Sequence, residues 1–357
     1  MTRMADPEGA VFGGVDTHAG AHVAAVTDPV GRVLGTESFP ADAGGYAALL
    51  AWLRGHGELT RVGVEGTGSY GAGLARYLAA CGVTVAEVHR PDRQRRRRRG
   101  KSDPVDAVSA AIAALNGEET GTPKAGDGAA ESIRVLRAAR RGALKARTQA
   151  GNQLRDLIIT APAGLREQLA GLNTARRVTA AAVFTCGDAA DPAEGTKMAM
   201  ASIARRWQAL AAEVARLDQA LDALVAAAAP PRFLSRTGVA TQTAAALIAA
   251  AGDNPARITA EAGFAALCGT SPVDCSSGKQ QHHRLNRGGD RQANAALWRI
   301  VTTRIQHDPE TQAYVKRRTA EGKDLKHIKR CLKRYVARRV YKDLIRPAHS
   351  PAHPEAA

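Results

Sequence analysis

From Val11 onward, short apolar runs alternate with turn signals. VFGGVDTH, AHVAAVTD and GRVLGTESFP are divided by Ala19-Gly20 and Asp28-Pro29, the pattern of three strands in hairpin succession. Leu49, Leu50 and Leu53 then recur at helical spacing between Ala43 and Gly55, and RVGVEGT, 61–67, makes a fourth strand. A helix over Tyr70–Ala80, a fifth strand in VTVAEVH and a helix opened at Asp103 complete the series. The order β-β-β-α-β-α-β-α over residues 11–118 predicts an α/β layer on a mixed five-stranded sheet.

The pattern then changes. NGEETGTPKAGDGAA, 116–130, reads as a linker, and Glu131–Ile159 as a long cationic helix. Ile203, Trp207, Leu210, Val214, Leu217, Leu221 and Leu224 alternate spacings of four and three, a heptad seam of coiled-coil type. That seam fits either an antiparallel pair within the chain or a contact between two chains. Pro230-Pro231 ends this α-helical connector, 119–229, and opens a mainly α C-terminal domain, 230–346. Within it Leu234–Asp253 reads as a helix-hairpin-helix turning at Gly238-Val239, a geometry that suits a phosphate. A closing amphipathic helix carries Ile328, Cys331, Leu332, Tyr335 and Val336 on one stripe and cations on the other face. Residues 1–10 and the Pro- and Ala-rich 347–357 are expected to be disordered.

Charge narrows the function. The 357 residues hold 50 Lys plus Arg against 34 Asp plus Glu, net +16 with a pI near 10.1, which calls for a polyanionic partner, by default nucleic acid. No apolar run is long enough to cross a bilayer and MTRMADPEGA lacks the core of a signal peptide, so a cytoplasmic, nucleoid-associated protein is expected. Five scattered cysteines, never in a C-x-x-C pair, argue against a disulfide framework and a zinc site.

Candidate chemistry centres on RQRRRRRGKSDPVDA, 93–107. Asp103 before Pro104 has the form of an N-cap and Asp106 that of a capping-box acid, which accounts for both without chemistry. The element order is that of ribonuclease-H-like nucleases, in which the first and fourth strands are neighbours. Asp16 and Glu65, near the ends of those strands, can then meet, and Asp103 and Asp106 share a helix face. Four crowded carboxylates need cations, and two magnesium ions suit all-oxygen ligands and phosphoryl transfer. Arg93, Arg95, Arg96, Arg97, Arg98, Arg99 and Lys101 would contact phosphates without reading sequence.

A second candidate is LCGTSPVDCSSGKQQHHRLNRGGDRQANAA, 267–296. A serine hydroxyl attacks a phosphodiester only if its proton is taken and cations meet the developing charge, and Lys279, Arg284, Arg287 and Arg291 can supply that charge. Ser276, Ser277 and Cys275 are rival nucleophiles, and His282 and His283 stand nearby as bases or phosphate contacts.

D…E…K-S-D-x-x-D-A, with Gly66-Thr67-Gly68 after the glutamate, resembles the four-carboxylate RuvC-like (DEDD) nuclease domain of the IS110 family of insertion-sequence transposases. Residues 267–296, with the helical stretch before them and Gly322-Lys323 after, are similar to that family's C-terminal serine transposase domain. The family's nucleophilic serine precedes a glycine, here Ser277 before Gly278, with Ser276 as its immediate rival. The resemblance implies a magnesium-dependent recombinase in which Asp16, Glu65, Asp103 and Asp106 hold the ions and Ser277 forms a covalent serine–DNA intermediate. It further implies donor and target DNA as substrates, a noncoding bridge RNA as guide and a homodimer or homotetramer joined through the helical connector. The alternatives are a RuvC-like junction resolvase using water, and a noncatalytic nucleic-acid-binding protein.

Overall fold

The computed structural model describes residues 9–88, 102–117, 120–278 and 283–346. Arg93, the Arg95–Arg99 run, Lys101, Lys279 and His282 lie outside the described residues. The chain divides into two units, one through Gly128 with Gly252–Arg257 added, the other of Ala129–Ala251 and the residues from Ile258 onward.

The first unit is built on one mixed sheet. β1 (Ala10–Thr17), β2 (Ala21–Thr27) and β3 (Val33–Pro40) are successive antiparallel hairpin strands, and β4 (Glu58–Glu65) and β5 (Val85–Val88) run parallel to β1. The order across the sheet is β3-β2-β1-β4-β5-β6. All five predicted strands are present. The sixth, β6 (Thr120–Gly121), is a two-residue antiparallel edge drawn from the stretch read as linker. β1 is the central strand, and its buried run Gly13–Thr17 has helices on both faces, the usual reason for a strand without strict alternation.

The two faces of β1 can be told apart by what a side chain added at each glycine would strike. At Gly13 it meets Leu53 of α1 (Ala43–Arg54), and Leu49, Leu53, Leu74 and Leu78 of α1 and α2 (Ala72–Ala80) form the core on that face with Val15, Val62 and Val64. At Gly14 it would lie 2.0 Å from the Ala111 nitrogen, and at Gly63 2.3 Å from the Ala110 oxygen, both in α3 (Asp103–Asn116). Gly14 and Gly63 are register partners, so together they make a flat seat on which α3 rests through Ala107, Ala110, Ala111 and Ala114. Two residues further along each strand, on the same face, stand Asp16 and Glu65. The seat therefore sets the distance between the helix start and the strand ends. Gly14→Val is expected to cost about 3 kcal/mol or more of stability and to abolish divalent-cation binding, read by thermal melting with and without Mn²⁺.

His22 on β2 is fully buried, its ring stacked on Tyr46 with centroids 5.6 Å apart, and burial pushes its pKa below the usual value. The unfolded chain thus binds the proton more readily than the folded one. Stability is full above the ordinary histidine pKa of about 6.5 and falls as the pH drops through it. Melting temperature should decline between about pH 7 and pH 5, and His22→Phe should flatten part of that slope.

In the second unit α4 (Ala129–Thr160) and α7 (Pro192–Ala228) lie side by side. Arg140 pairs with Asp218, Arg147 covers Trp207 and Arg206 donates to Gln153, so position rises along one helix as it falls along the other. The heptad positions are thus used in an antiparallel pair within one chain, with Val214 and Leu221 buried. Two short helices the periodicity did not predict, α5 (Ala163–Ala170) and α6 (Thr174–Ala182), cap one end through Leu165, Leu169 and Val178. At the other end α8 (Pro231–Leu234) turns through Gly238, at φ 86°, into α9 (Thr241–Ala251). Every residue of α9 from Thr243 to Ala251 is buried, which explains a helix that is apolar all round.

Around α9 stand α10 (Glu261–Leu267), α11 (Arg291–His307), α12 (Pro309–Ala320) and α13 (Leu325–Val340). On α13, Ile328, Leu332 and Val336 are buried as the stripe predicts. Tyr335 instead is half exposed, set edge-on against Tyr314, and Lys333 turns inward, its Nζ 3.0 Å from Asn294 Oδ1.

Candidate active site

Asp16 sits one residue before the end of β1 and Glu65 ends β4. The Thr17 hydroxyl donates to the Glu65 carbonyl at 2.8 Å and ties the two strand ends together. Neither aspartate of α3 takes the capping role its spacing suggests. The extended N-cap residue is Ser102, which makes Asp103 the first helical residue and places Asp106 one position past the capping-box site. Both acids still lie in the first turn, where the helix dipole favours negative charge.

Asp16, His18 and Asp103 each present one ligand atom within 4.8 Å of the others. His18 Nε2 is 3.1 Å from Asp16 Oδ2 and 3.5 Å from Asp103 Oδ1. The Asp16 carboxylate is nearly buried, whereas the side chains of His18 and Asp103 are half exposed, so the group opens to solvent on one side. Asp106 is buried three residues further along α3 and Glu65 is partly buried at the neighbouring strand end. Among the described residues their carboxylates fall outside the 4.8 Å group. The structure thus brings together Asp16 and Asp103 of the four predicted acids and sets the other two in adjoining positions. His18 was not predicted. Its signal is the spacing D-T-H at a strand end, since residues two apart on a strand share a face.

Two carboxylates and an imidazole at this separation fit a divalent cation. The oxygens suit magnesium or manganese, and the imidazole favours manganese and later metals over magnesium.

The serine loop belongs to the second unit. Val273–Asp274 pairs antiparallel with His283–Arg284 in a two-residue ladder, and Gly278 takes a left-handed turn at φ 56°. Asp274, absent from the sequence-based candidates, accepts from both the backbone N–H and the hydroxyl of Ser276, at 2.8 and 2.5 Å. Those bonds hold its pKa below the ordinary carboxylate value, which makes it a weak base, and they commit the Ser276 hydroxyl. Ser277 and Cys275 are exposed beside it. Asn286 and Asp290 shape the far side of the loop. Asn286 Oδ1 accepts from Gly288 N, and Asp290 caps α11 through the N–H groups of Gln292 and Ala293. Arg284, Arg287 and Arg291 are exposed around it.

Comparison with known proteins finds matches to two stretches of the chain. Residues 13–160 match the DEDD-type IS110 family model described as a transposase, and residues 231–316 match the model described as transposase IS116/IS110/IS902 family. A protein described as insertion element IS110 uncharacterized 43.6 kDa protein, from Streptomyces coelicolor, is 32% identical over 135 residues, 37% of this chain and 33% of that protein. The match thus spans about a third of that relative's length. Fold and matches together define the class, a DEDD-type ribonuclease-H-like domain joined to a helical transposase domain. The chain belongs to the IS110 family of transposases. No helix among the described residues is long and apolar enough to cross a membrane.

Proposed function

We propose that the chain is the transposase of an insertion sequence, a recombinase that cuts and rejoins DNA through a covalent serine–DNA intermediate. The observation that carries the reading is the convergence of Asp16 and Asp103 at the start of α3. Ser102 is the N-cap of α3, so the helix start does not use Asp103 as its cap.

In this reading the Ser277 oxygen attacks a phosphodiester phosphorus. An oxygen–phosphorus bond forms, the bond to one deoxyribose oxygen breaks, that oxygen leaves with a proton, and the serine proton passes to a base. Reversal by the hydroxyl of another strand rejoins the DNA and frees the serine. Asp16, Glu65, Asp103 and Asp106 would hold divalent cations, two magnesium ions per site, with the His18 imidazole beside Asp16 and Asp103 as a further ligand. When bound, such ions neutralise charge that builds on the attacking and leaving oxygens. Ser277 is favoured over Ser276 because Asp274 already holds the Ser276 hydroxyl. Arg284, Arg287 and Arg291, with Lys279 and the arginines from Arg93 to Arg99, contact phosphates. Donor and target DNA are the substrates, a noncoding bridge RNA the guide, and a homodimer or homotetramer the working state.

The test is a strand-joining assay with full-length protein, magnesium, donor and target duplexes and RNA transcribed from the DNA flanking the gene. Joined products that require all four components are expected. Cleaved but never joined products would assign the chain to the nucleases, and retention of DNA with no chemistry to the binding proteins.

A further inference from the structure

A cleft of about 520 Å³ opens between α11 and α13, closed at one end by Gly269 and the loop around Leu285 and Arg287. Trp298, 47% exposed, and Leu285, 51% exposed, are among the residues that line it. Arg291, Ala295 and Trp298 recur at helical spacing along the same face of α11. The flexible Lys329 side chain reaches over the indole, its Nζ 5.4 Å from the ring centroid. Arg287, Arg291 and Lys333 line the walls, and no acidic residue does so among the described residues.

An aromatic face ringed by cations, in a space of this size, matches a ligand that is flat, aromatic and attached to phosphate. It does not suit a second copy of this chain, which would bring the same cations against one another. The polar groups at the back are already committed. Asn294 donates to the Cys268 and Gly269 carbonyls and accepts from Lys333, and Asn286 donates to Ala266 O and accepts from Gly288 N. They have little left with which to read a base edge, so recognition would be by stacking and charge, which tolerate any sequence. Bases inside a duplex are already stacked on their neighbours and cannot reach the ring.

We infer that this cleft is a stacking site for a nucleobase of unpaired DNA, with Trp298 as the platform and Arg287, Arg291, Lys329 and Lys333 meeting the flanking phosphates. The inference rests on the reading that the chain acts on DNA and adds the form that DNA takes beside the serine loop: at least one base is out of its helix.

The test uses the full chain and two probes, an oligothymidylate and a duplex of equal length at one salt concentration. The sequence has three tryptophans, so Trp52→Phe with Trp207→Phe leaves Trp298 as the lone reporter. Its fluorescence is expected to be quenched by oligothymidylate and little changed by duplex. In the otherwise unchanged chain, Trp298→Ala should weaken oligothymidylate binding about tenfold or more and duplex binding less than about twofold, and Trp298→Phe should keep most of the affinity. Binding of both probes without quenching, or an equal loss on both, overturns this inference and leaves the transposase reading intact. Failure to bind either probe overturns both. A Trp298→Ala chain that binds normally but sediments as a smaller species assigns the ring to a subunit contact and overturns the inference.

Discussion

Ser277→Ala is expected to abolish the covalent protein–DNA species and to lower strand joining by about 10³-fold or more, the scale seen when a catalytic nucleophile is removed. DNA binding should stay within about twofold of wild type, because the proposed phosphate contacts are arginines that the substitution does not touch. Ser276→Ala separates the two serines. Its hydroxyl is bonded to Asp274, so its loss loosens the turn before Gly278 and should cost joining about tenfold or less. Gel electrophoresis of denatured reactions with labelled DNA reads both. An adduct that persists in Ser277→Ala and vanishes in Ser276→Ala would exchange the roles, with Asp274 then acting as the base.

Asp16→Asn keeps the shape of the side chain and removes its charge. Joining is expected to fall by about 10³-fold, equivalent to about 4 kcal/mol of lost transition-state stabilisation. The same variant should lose the rise in melting temperature that Mn²⁺ gives the wild-type protein, a rise of about 5 °C or more when the ion is at a hundredfold its Kd. Asp103→Asn should behave alike, because its oxygen belongs to the same 4.8 Å group. His18→Ala distinguishes a ligand from a bystander: a ligand's loss weakens Mn²⁺ binding more than Mg²⁺ binding, since imidazole contributes more to the softer ion. A melting temperature that rises with Mn²⁺ equally in wild type and Asp16→Asn would remove the acids from the metal site.

Much of this was legible in the sequence because the N-terminal unit obeys local rules. Hairpin turns and apolar runs placed β1 to β5, and the ribonuclease-H-like order of those elements made the strands that carry Asp16 and Glu65 neighbours. What could not be read depends on partners remote in sequence. The Gly14–Gly63 seat is two unremarkable glycines until positions 49 residues apart in numbering are set in register. A lone histidine after a strand is ordinary, and His18 gains meaning only when the fold brings Asp103 within 3.5 Å of it beside Asp16. Asp103 and Asp106 looked like caps because local patterns are accurate to about one residue, and one residue decided the matter here. In the connector, α5 and α6 are short and capped by Pro162 and Asn173, too brief for periodicity to register. The heptad positions were visible, but whether their partner lay in the same chain was a question of tertiary packing, answered by Arg140–Asp218 and its neighbours.

In the proposed reaction, carboxylates from one unit and a hydroxyl from the other act on the same DNA strand. This is tested most directly by trapping protein on labelled donor DNA in magnesium with the flanking RNA, digesting it and locating the nucleotide by mass spectrometry. A nucleotide is expected on Ser277, absent when magnesium is removed and absent in Asp16→Asn. A nucleotide on another residue, or one that forms equally well without the ion and without Asp16, would contradict it.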